Sequence, residues 1–124
     1  EDCGNVINPM VVEGQILGGI AQGVGQALYE HGIYDEDGQL VTGSMLDYTM
    51  PRADNFPMIE SDRIETPSPS NSLGVKGVGE MGSITSPPAV VNAVVDALSD
   101  YGVKHIDMPL TSEKIWNLIQ TNGG

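Results

Sequence analysis

Five glycines interrupt the first long helical pattern of this chain, and they restrict how that pattern can fold. Apolar residues recur at helical spacing after position 9 and would form one face, made of Ile16, Leu17, Ile20, Ala21, Val24 and Leu28. Glycine stands among them at positions 14, 18, 19, 23 and 25. Each glycine costs a helix about 1 kcal/mol relative to alanine, so intrinsic propensity cannot hold this helix together. Either a sheet packs closely against the small residues, or a ligand lies near the start of the helix.

Polar residues followed by proline mark the predicted helix starts. Asn8 with Pro9 should begin the first helix, because asparagine caps free amides and proline has no amide to leave unpaired. Ser86 followed by Pro87 and Pro88 predicts the start of a second helix for the same reason. Thr111 is the expected cap of a third.

Short strands are predicted between the helices. The candidates are 33–34 and 39–41 as the arms of a hairpin, followed by 45–48 and 58–66. Pro51 and Pro57 exclude central ladder pairing near them. The expected fold class is therefore α+β, with about three helices packed on short, mainly antiparallel strands. With 124 residues, the chain should form a single domain spanning residues 1–124.

Charge and composition exclude several classes of partner. Seventeen acidic residues against five basic ones give a net charge of −12, which repels nucleic acid and anionic membrane surfaces. No apolar run reaches the roughly 20 residues that span a bilayer, and the start lacks a signal-peptide pattern. Cys3 is the only cysteine, which favours a reducing, cytoplasmic location. The opening residues, without methionine, are those expected of a piece cut from a longer polypeptide.

The remaining metal-ligand residues predict no metal centre. His31 and His105 are far apart in sequence and neither lies in a cluster of ligand residues, so a zinc site is not expected. Cys3 is expected to be a buried small hydrophobic residue. Trp116 is expected to pack in the core rather than against a cofactor.

A second glycine-rich stretch, Gly74 to Gly82, carries one carboxylate, that of Glu80. Glycine lets backbone approach a ligand closely, and a carboxylate held there is either a solvated charge or a working general base. We favour the base. Lys76 in the same stretch could neutralise an anion or pair near Glu80, although a solvated side chain is the simpler expectation.

The same stretch also matches the G-x-G-x-x-G pattern of dinucleotide-binding domains, with Asp100 at the distance of a ribose-binding acid. Three features oppose this alternative. The predicted helix starts only at Ser86, no hydrophobic strand precedes Gly74, and Asp100 follows a helix rather than a strand. A phosphate-binding P-loop fails as well, because Lys76 precedes the glycines.

The whole chain resembles the C-terminal part of the molybdopterin-binding large subunit of the molybdenum hydroxylases. That family contains xanthine dehydrogenase, the aldehyde oxidases and aerobic carbon monoxide dehydrogenase. The resemblance rests on two segments in this order and spacing: Asp2-Cys3-Gly4 through Asn8-Pro9 to Gly14-Gln15 and Gly25, and Gly74-Val75-Lys76-Gly77-Val78-Gly79-Glu80 with Ser86-Pro87-Pro88 and Asn92-Ala93.

The resemblance implies a role for four residues and a set of partners. Glu80 would be the general base beside the molybdenum, Gln15 would contact the pterin, and the backbone of Val78 and Gly79 would lie against the cofactor. The cofactor implied is molybdopterin in its cytosine dinucleotide form, in an oxidoreductase that hydroxylates carbon monoxide, an aldehyde or an N-heterocycle with oxygen from water. The implied partners are the remainder of the large subunit, an FAD-binding medium subunit and an iron–sulfur small subunit.

Two functional alternatives stay open beside this one. The chain could be a non-catalytic structural or assembly domain with a solvated Glu80, or a dinucleotide-binding module. The family's other cofactor and substrate contacts come from segments that are not in these 124 residues. We therefore expect the isolated chain to bind no cofactor by itself and to be inactive, whatever its substrate.

Overall fold

The computed structural model describes residues 2–122 and contains three α-helices in that range. Helix α1 spans Pro9–Leu28, α2 spans Met81–Ala97 and α3 spans Ser112–Asn122. Short 3₁₀ helices lie at Ala53–Asn55 and Ser99–Tyr101. No helix in the described range is long and apolar enough to cross a bilayer.

Helix α1 begins as predicted. The Asn8 side chain accepts a hydrogen bond from the Val11 amide at 3.2 Å, and Pro9 takes the first helical position. Helix α3 likewise begins after Thr111, whose hydroxyl accepts from the Lys114 amide at 3.3 Å. Both starts are decided by local capping chemistry.

Three of the five glycines in α1 exist to let other chain segments approach. A methyl group on Gly19 would lie 2.8 Å from the α-carbon of Gly82, and one on Gly23 would lie 1.7 Å from the Ser86 hydroxyl. A methyl group on Gly25 would meet Pro51 at 2.9 Å. For Gly19 and Gly23 the closely packed element is therefore helix α2 and not a sheet, whereas Gly25 packs against Pro51. These contacts supply the tight packing that the cost of the glycines requires.

Helix α2 begins five residues earlier than predicted. It starts at Met81, and Pro87 and Pro88 lie inside it. Ser86 does not cap the helix, because its hydroxyl is buried and donates to the carbonyl oxygen of Gly19 in α1 at 3.3 Å. The Ser-Pro-Pro signature predicts a helix start, but in the structure Ser86 makes a contact between α1 and α2.

The expected α+β class is wrong. Among residues 2–122 there is no strand and no sheet, only two isolated antiparallel bridges, Gly4 with Val75 and Tyr34 with Leu40. The arms of the hairpin predicted at 33–41 do pair, through the second bridge and through backbone hydrogen bonds from Asp35 to Gln39 at 3.0 Å and from Val41 to Ile33 at 2.7 Å. The candidates at 45–48 and 58–66 lie beside no partner strand in the described range. A strand pattern needs further neighbouring strands to become a sheet, and residues 2–122 supply none beyond this short hairpin.

Two apolar clusters form the core. One contains Leu98, Val103, Ile106 and Leu110, with residues of α2 and α3 packed around it. The other contains Cys3, Val12 and Ile16 and lies between the N-terminal residues and α1. Cys3 is thus a buried hydrophobic residue, as predicted. Trp116 does not pack in the core, since it is 61% exposed on α3.

Candidate functional site

The N-terminal residues hold the glycine-rich loop in place. The Asn5 amide donates to the Gly74 carbonyl at 3.0 Å, and the Lys76 amide donates to the Cys3 carbonyl at 2.8 Å. Gly4 and Gly74 both have positive φ, and a methyl group on Gly4 would lie 2.1 Å from the Gly74 carbonyl oxygen. Only glycine fits this crossing of the two segments.

An ion pair reinforces the same contact. The Lys76 ammonium lies 2.5 Å from an Asp2 carboxylate oxygen, and the other oxygen accepts from the amides of Gly4 at 2.9 Å and Thr66 at 3.0 Å. The hydrogen bond from Lys76, followed by those from the amides of Thr66 and Gly4, holds the pKa of Asp2 well below its usual range. The partner of Lys76 is therefore Asp2, and not a group near Glu80.

The loop then divides into an inward and an outward side. The side chain of Val78 packs with Met81 against the cluster of Cys3, Val12 and Ile16. Gly77 and Gly79 are exposed, and a methyl group on either would meet no atom within 4 Å. At these two glycines the backbone is therefore accessible to close approach by a molecule outside the described chain.

Glu80 occupies the N-cap position of α2. Its carbonyl oxygen accepts from the Ile84 amide and the Ser83 hydroxyl, both at 3.0 Å. Its side chain is exposed and caps no amide of the helix. Within residues 2–122 its carboxylate makes no ion pair.

Gln15 lies on the exposed side of α1, between two glycines with free space around them. Gly14 and Gly18 have no atom within 4 Å of a methyl group built on them, unlike the three packed glycines of the same helix. Nothing within the described chain explains why these two positions accept the helix cost of glycine. The second explanation offered by the sequence, a ligand near the start of the helix, stays a prediction for these two positions.

The crossing of α1 and α2 brings together the chain segments that carry the predicted residues. A methyl group on Gly82 would lie 2.7 Å from the carbonyl oxygen of Ile16. Gln15 directly precedes Ile16, and Glu80 stands two residues before Gly82. Gln15, Glu80 and Gly79 are all exposed, and Val78 anchors their loop.

Other chemistry finds little support in the described residues. Among residues 2–122 no group of three or more histidine, cysteine or acidic side chains could hold a metal ion. Gly82 does lie in a helix, as the dinucleotide pattern requires, but in that range no strand precedes Gly74. Asp100 lies in a 3₁₀ turn at the far end of α2.

Sequence reasoning missed the residues that position the loop. Asp2, with its three hydrogen bonds, and Asn71, whose side chain bridges the amide and carbonyl of Val75 at 3.1 and 3.0 Å, were not singled out. A signal was present for Asp2, because it stands in the first of the two matching segments. Asn71 lies in a serine- and proline-rich stretch that carried no such signal.

Comparison with known proteins places these segments in a described family. Residues 1–57 match the family described as a molybdopterin cofactor-binding domain, and this range includes Gln15. The chain is 52% identical over 115 residues to the nicotine 6-hydroxylase large subunit of Paenarthrobacter nicotinovorans, covering 93% of this chain and 14% of that protein. It is 42% identical over 120 residues to the carbon monoxide dehydrogenase large chain of Hydrogenophaga pseudoflava, covering 97% and 15%.

A solved structure shares the fold as well. The quinoline 2-oxidoreductase of Pseudomonas putida 86 superposes with a TM-score of 0.93 at 51% identity, covering 98% of this chain and 16% of that one. The chain thus spans about one seventh of the length of the curated relatives it matches.

Proposed function

Since this chain belongs to the molybdenum hydroxylase family, as a segment of its molybdopterin-binding large subunit, we propose that it supplies the catalytic base of such an enzyme. The base is Glu80. The observation that carries the proposal is the free, exposed carboxylate of Glu80 at the start of α2, beside glycines with open space around them.

The exposed residues fit a large, flat cofactor. Gly77 and Gly79 in the loop and Gly14 and Gly18 on α1 leave space that a side chain would fill, and Gln15 offers an amide that can donate and accept hydrogen bonds. Gln15 and the backbone of Val78 and Gly79 would hold the molybdopterin, in its cytosine dinucleotide form. The bound molybdenum would supply the redox chemistry of the hydroxylation.

The chain's own residues position and move a proton. A general base works within hydrogen-bond reach, about 3 Å, of the proton that it takes. Glu80 can offer its carboxylate because no capping hydrogen bond or ion pair within residues 2–122 engages it. Val78 and Met81 on either side are packed inward, so the backbone that carries Glu80 is fixed while its side chain points out of the cluster.

The complete enzyme requires polypeptide beyond this segment. The relatives named above act on nicotine and carbon monoxide, and by analogy the substrate class here is a small N-heterocycle, an aldehyde or carbon monoxide. The remainder of the large subunit, an FAD-binding medium subunit and an iron–sulfur small subunit would complete the assembly. A cytoplasmic location is part of the same proposal.

A chimeric enzyme tests the base. In it, this chain replaces the matching 16% of the quinoline 2-oxidoreductase chain, and quinoline oxidation is measured. Glu80→Gln keeps the size of the side chain and removes the proton acceptor. We expect turnover to fall about 10²- to 10⁴-fold, the usual range for loss of a general base, with the molybdenum content per large chain unchanged.

Asp100→Asn is the matched control, because it also removes one exposed carboxylate and probes the dinucleotide alternative. We expect its turnover to equal that of the unmodified chimera. Comparable turnover in Glu80→Gln with full molybdenum content would show that Glu80 is not the base, and would favour a structural role for this segment.

A further inference from the structure

The segment from residue 29 to residue 66 contributes nothing to the core. The structure describes all of it, and none of its residues is buried. Several of its large apolar side chains point into solvent, and Leu46 and Met58 are 94% and 93% exposed. Side chains of this kind are costly to leave in water over so long a stretch.

The accessible surface of the whole molecule is larger than that of a compact protein of the same mass. A compact protein of 13.1 kDa exposes about 6,400 Å², whereas this chain exposes 8605 Å². The excess of about 2,200 Å² on one molecule exceeds the roughly 800 Å² that each partner buries in a standard interface. It lies in the range of permanent assemblies rather than transient ones.

A groove lies at the centre of the segment. It has a volume of about 440 Å³ and is lined by Tyr29, Met45, Leu46, Tyr48, Met50 and Pro51, together with the polar residues Thr49, Arg52 and Asn55. One of the lining residues makes a polar contact with Glu30. The Tyr48 hydroxyl donates to the Glu30 carboxylate at 2.5 Å, which raises the pKa of Tyr48.

The rest of the segment is attached to the helices by a few polar contacts. The Ser61 hydroxyl donates to the Glu13 carboxylate of α1 at 2.6 Å, and the Arg63 guanidinium lies 4.0 Å from the same group. The segment nevertheless keeps the fold of a relative, since the superposition on quinoline 2-oxidoreductase covers 98% of this chain. In that relative the matching residues are 16% of a longer chain.

The charge of the segment indicates the character of the surface that would cover it. Its acidic residues are Glu30, Asp35, Glu36, Asp37, Asp47, Asp54, Glu60, Asp62 and Glu65, against Arg52 and Arg63 alone. A second copy of this chain would bring like charge against it, which opposes association. A partner with an apolar centre and a basic rim complements it.

We propose that residues 29–66 form the docking surface for the remainder of the large subunit, with the groove at Leu46 receiving apolar side chains of that polypeptide. The identity of the occupant rests on the proposed function, because the remainder of the large subunit is the part of the family's sequence that this segment does not span. The surface itself does not depend on the role of Glu80. Its test therefore measures protection and assembly, not turnover.

Hydrogen exchange compares the isolated chain with the chimera described above. In the isolated chain we expect amides in 29–66 to exchange rapidly while those of α1 and α2 are protected. In the chimera we expect exchange in 29–66 to slow at least tenfold. Equal exchange in both proteins would overturn the proposal, and so would self-association of the isolated chain that Leu46→Asp abolishes.

Variants separate docking from folding. Leu46→Asp should leave the unfolding midpoint of the isolated chain unchanged, because the side chain contacts almost nothing there, and should lower the yield of assembled chimera severalfold. Leu46→Met and Gln120→Glu are the controls, for shape and for added charge on α3, and should assemble normally. Normal assembly of Leu46→Asp would overturn the proposal. Glu80→Gln should leave the protection of 29–66 intact, so the two proposals fail independently.

Discussion

The proposed function gives Gln15 a role in cofactor binding and Glu80 a role in proton transfer. Single substitutions distinguish the two roles. Gln15→Ala removes an amide next to open space on α1 and leaves the carboxylate of Glu80 in place. In the chimera we expect molybdopterin content to fall severalfold, with turnover per bound cofactor little changed. Cofactor released by denaturation and quantified by fluorescence measures this.

Gln26→Ala serves as the control, because Gln26 is an exposed glutamine near the other end of α1. It should retain cofactor normally. Full cofactor content in Gln15→Ala would remove Gln15 from the proposed site.

Asp2 makes the free energy of unfolding depend on pH in the acidic range. Its pKa is lowered in the folded state by Lys76 and two backbone amides, so its contribution is present above the unfolded value of about 4 and is lost as pH falls toward the folded value. Asp2→Asn keeps an oxygen for the amides and removes the charge. We expect wild type to be the more stable at neutral pH, and the difference to shrink below about pH 4.

Urea unfolding midpoints of both proteins across that range check the effect. Asp62→Asn removes an exposed acid outside the contact, as control. A difference between wild type and Asp2→Asn that is constant with pH would contradict the ion-pair explanation.

Helix α1 contains two kinds of glycine, and alanine should distinguish them. Gly18→Ala places a methyl group in open space and should stabilise the isolated chain by about 1 kcal/mol. Gly23→Ala drives a methyl group into Ser86 and should cost about 1–3 kcal/mol, because α2 must move away.

Urea unfolding of the isolated chain measures both changes. Destabilisation by Gly18→Ala would show that the open side of α1 is filled within this chain. Stabilisation by Gly23→Ala would show that the two helices do not touch there.

The helices and the predicted sheet show which structural features local sequence rules can predict. The starts of α1 and α3 were predictable, because a cap residue acts on the amides next to it. The start of α2 was not, because Ser86 and the prolines carry the same chemistry at a helix start and at a helix contact. The predicted sheet is wrong for a related reason: the strand candidates at 45–48 and 58–66 depend on a partner strand, and a local pattern does not show whether one is present.

The candidate site residues are predicted from motifs rather than from geometry. Glu80, Gln15, Val78 and Gly79 follow from residue order and spacing, and the structure adds that the segments carrying them meet where Gly82 contacts Ile16 and Gly19. That crossing could not be predicted, because a helix assumed to begin at Ser86 leaves Gly82 in a loop. The positioning role of Asp2 requires knowledge of which segments cross.

The molecule as a whole buries less surface than a compact chain of its mass, and the denaturant dependence of unfolding should show this. Relative to a compact chain of 13.1 kDa, the surface newly exposed on unfolding is smaller by about a fifth. The urea m value scales with that surface, so we expect it to be about a fifth below the value for a compact domain of this length.

Circular dichroism and the fluorescence of Trp116 should give coincident transitions for this measurement to be valid. An m value at or above that of a compact domain would show that residues 29–66 find cover within the chain itself. That result would also overturn the proposal that residues 29–66 form a docking surface.

The two prolines inside α2 separate the first turn of that helix, next to Glu80, from the rest. Without amides at positions 87 and 88, the carbonyls of Ser83 and Ile84 lack their usual donors one turn later. The regular ladder that normally propagates rigidity along a helix is broken between Glu80 and the C-terminal core. The position of the backbone at Glu80 therefore depends on α1, through the close contact of Gly82 with Ile16 and Gly19.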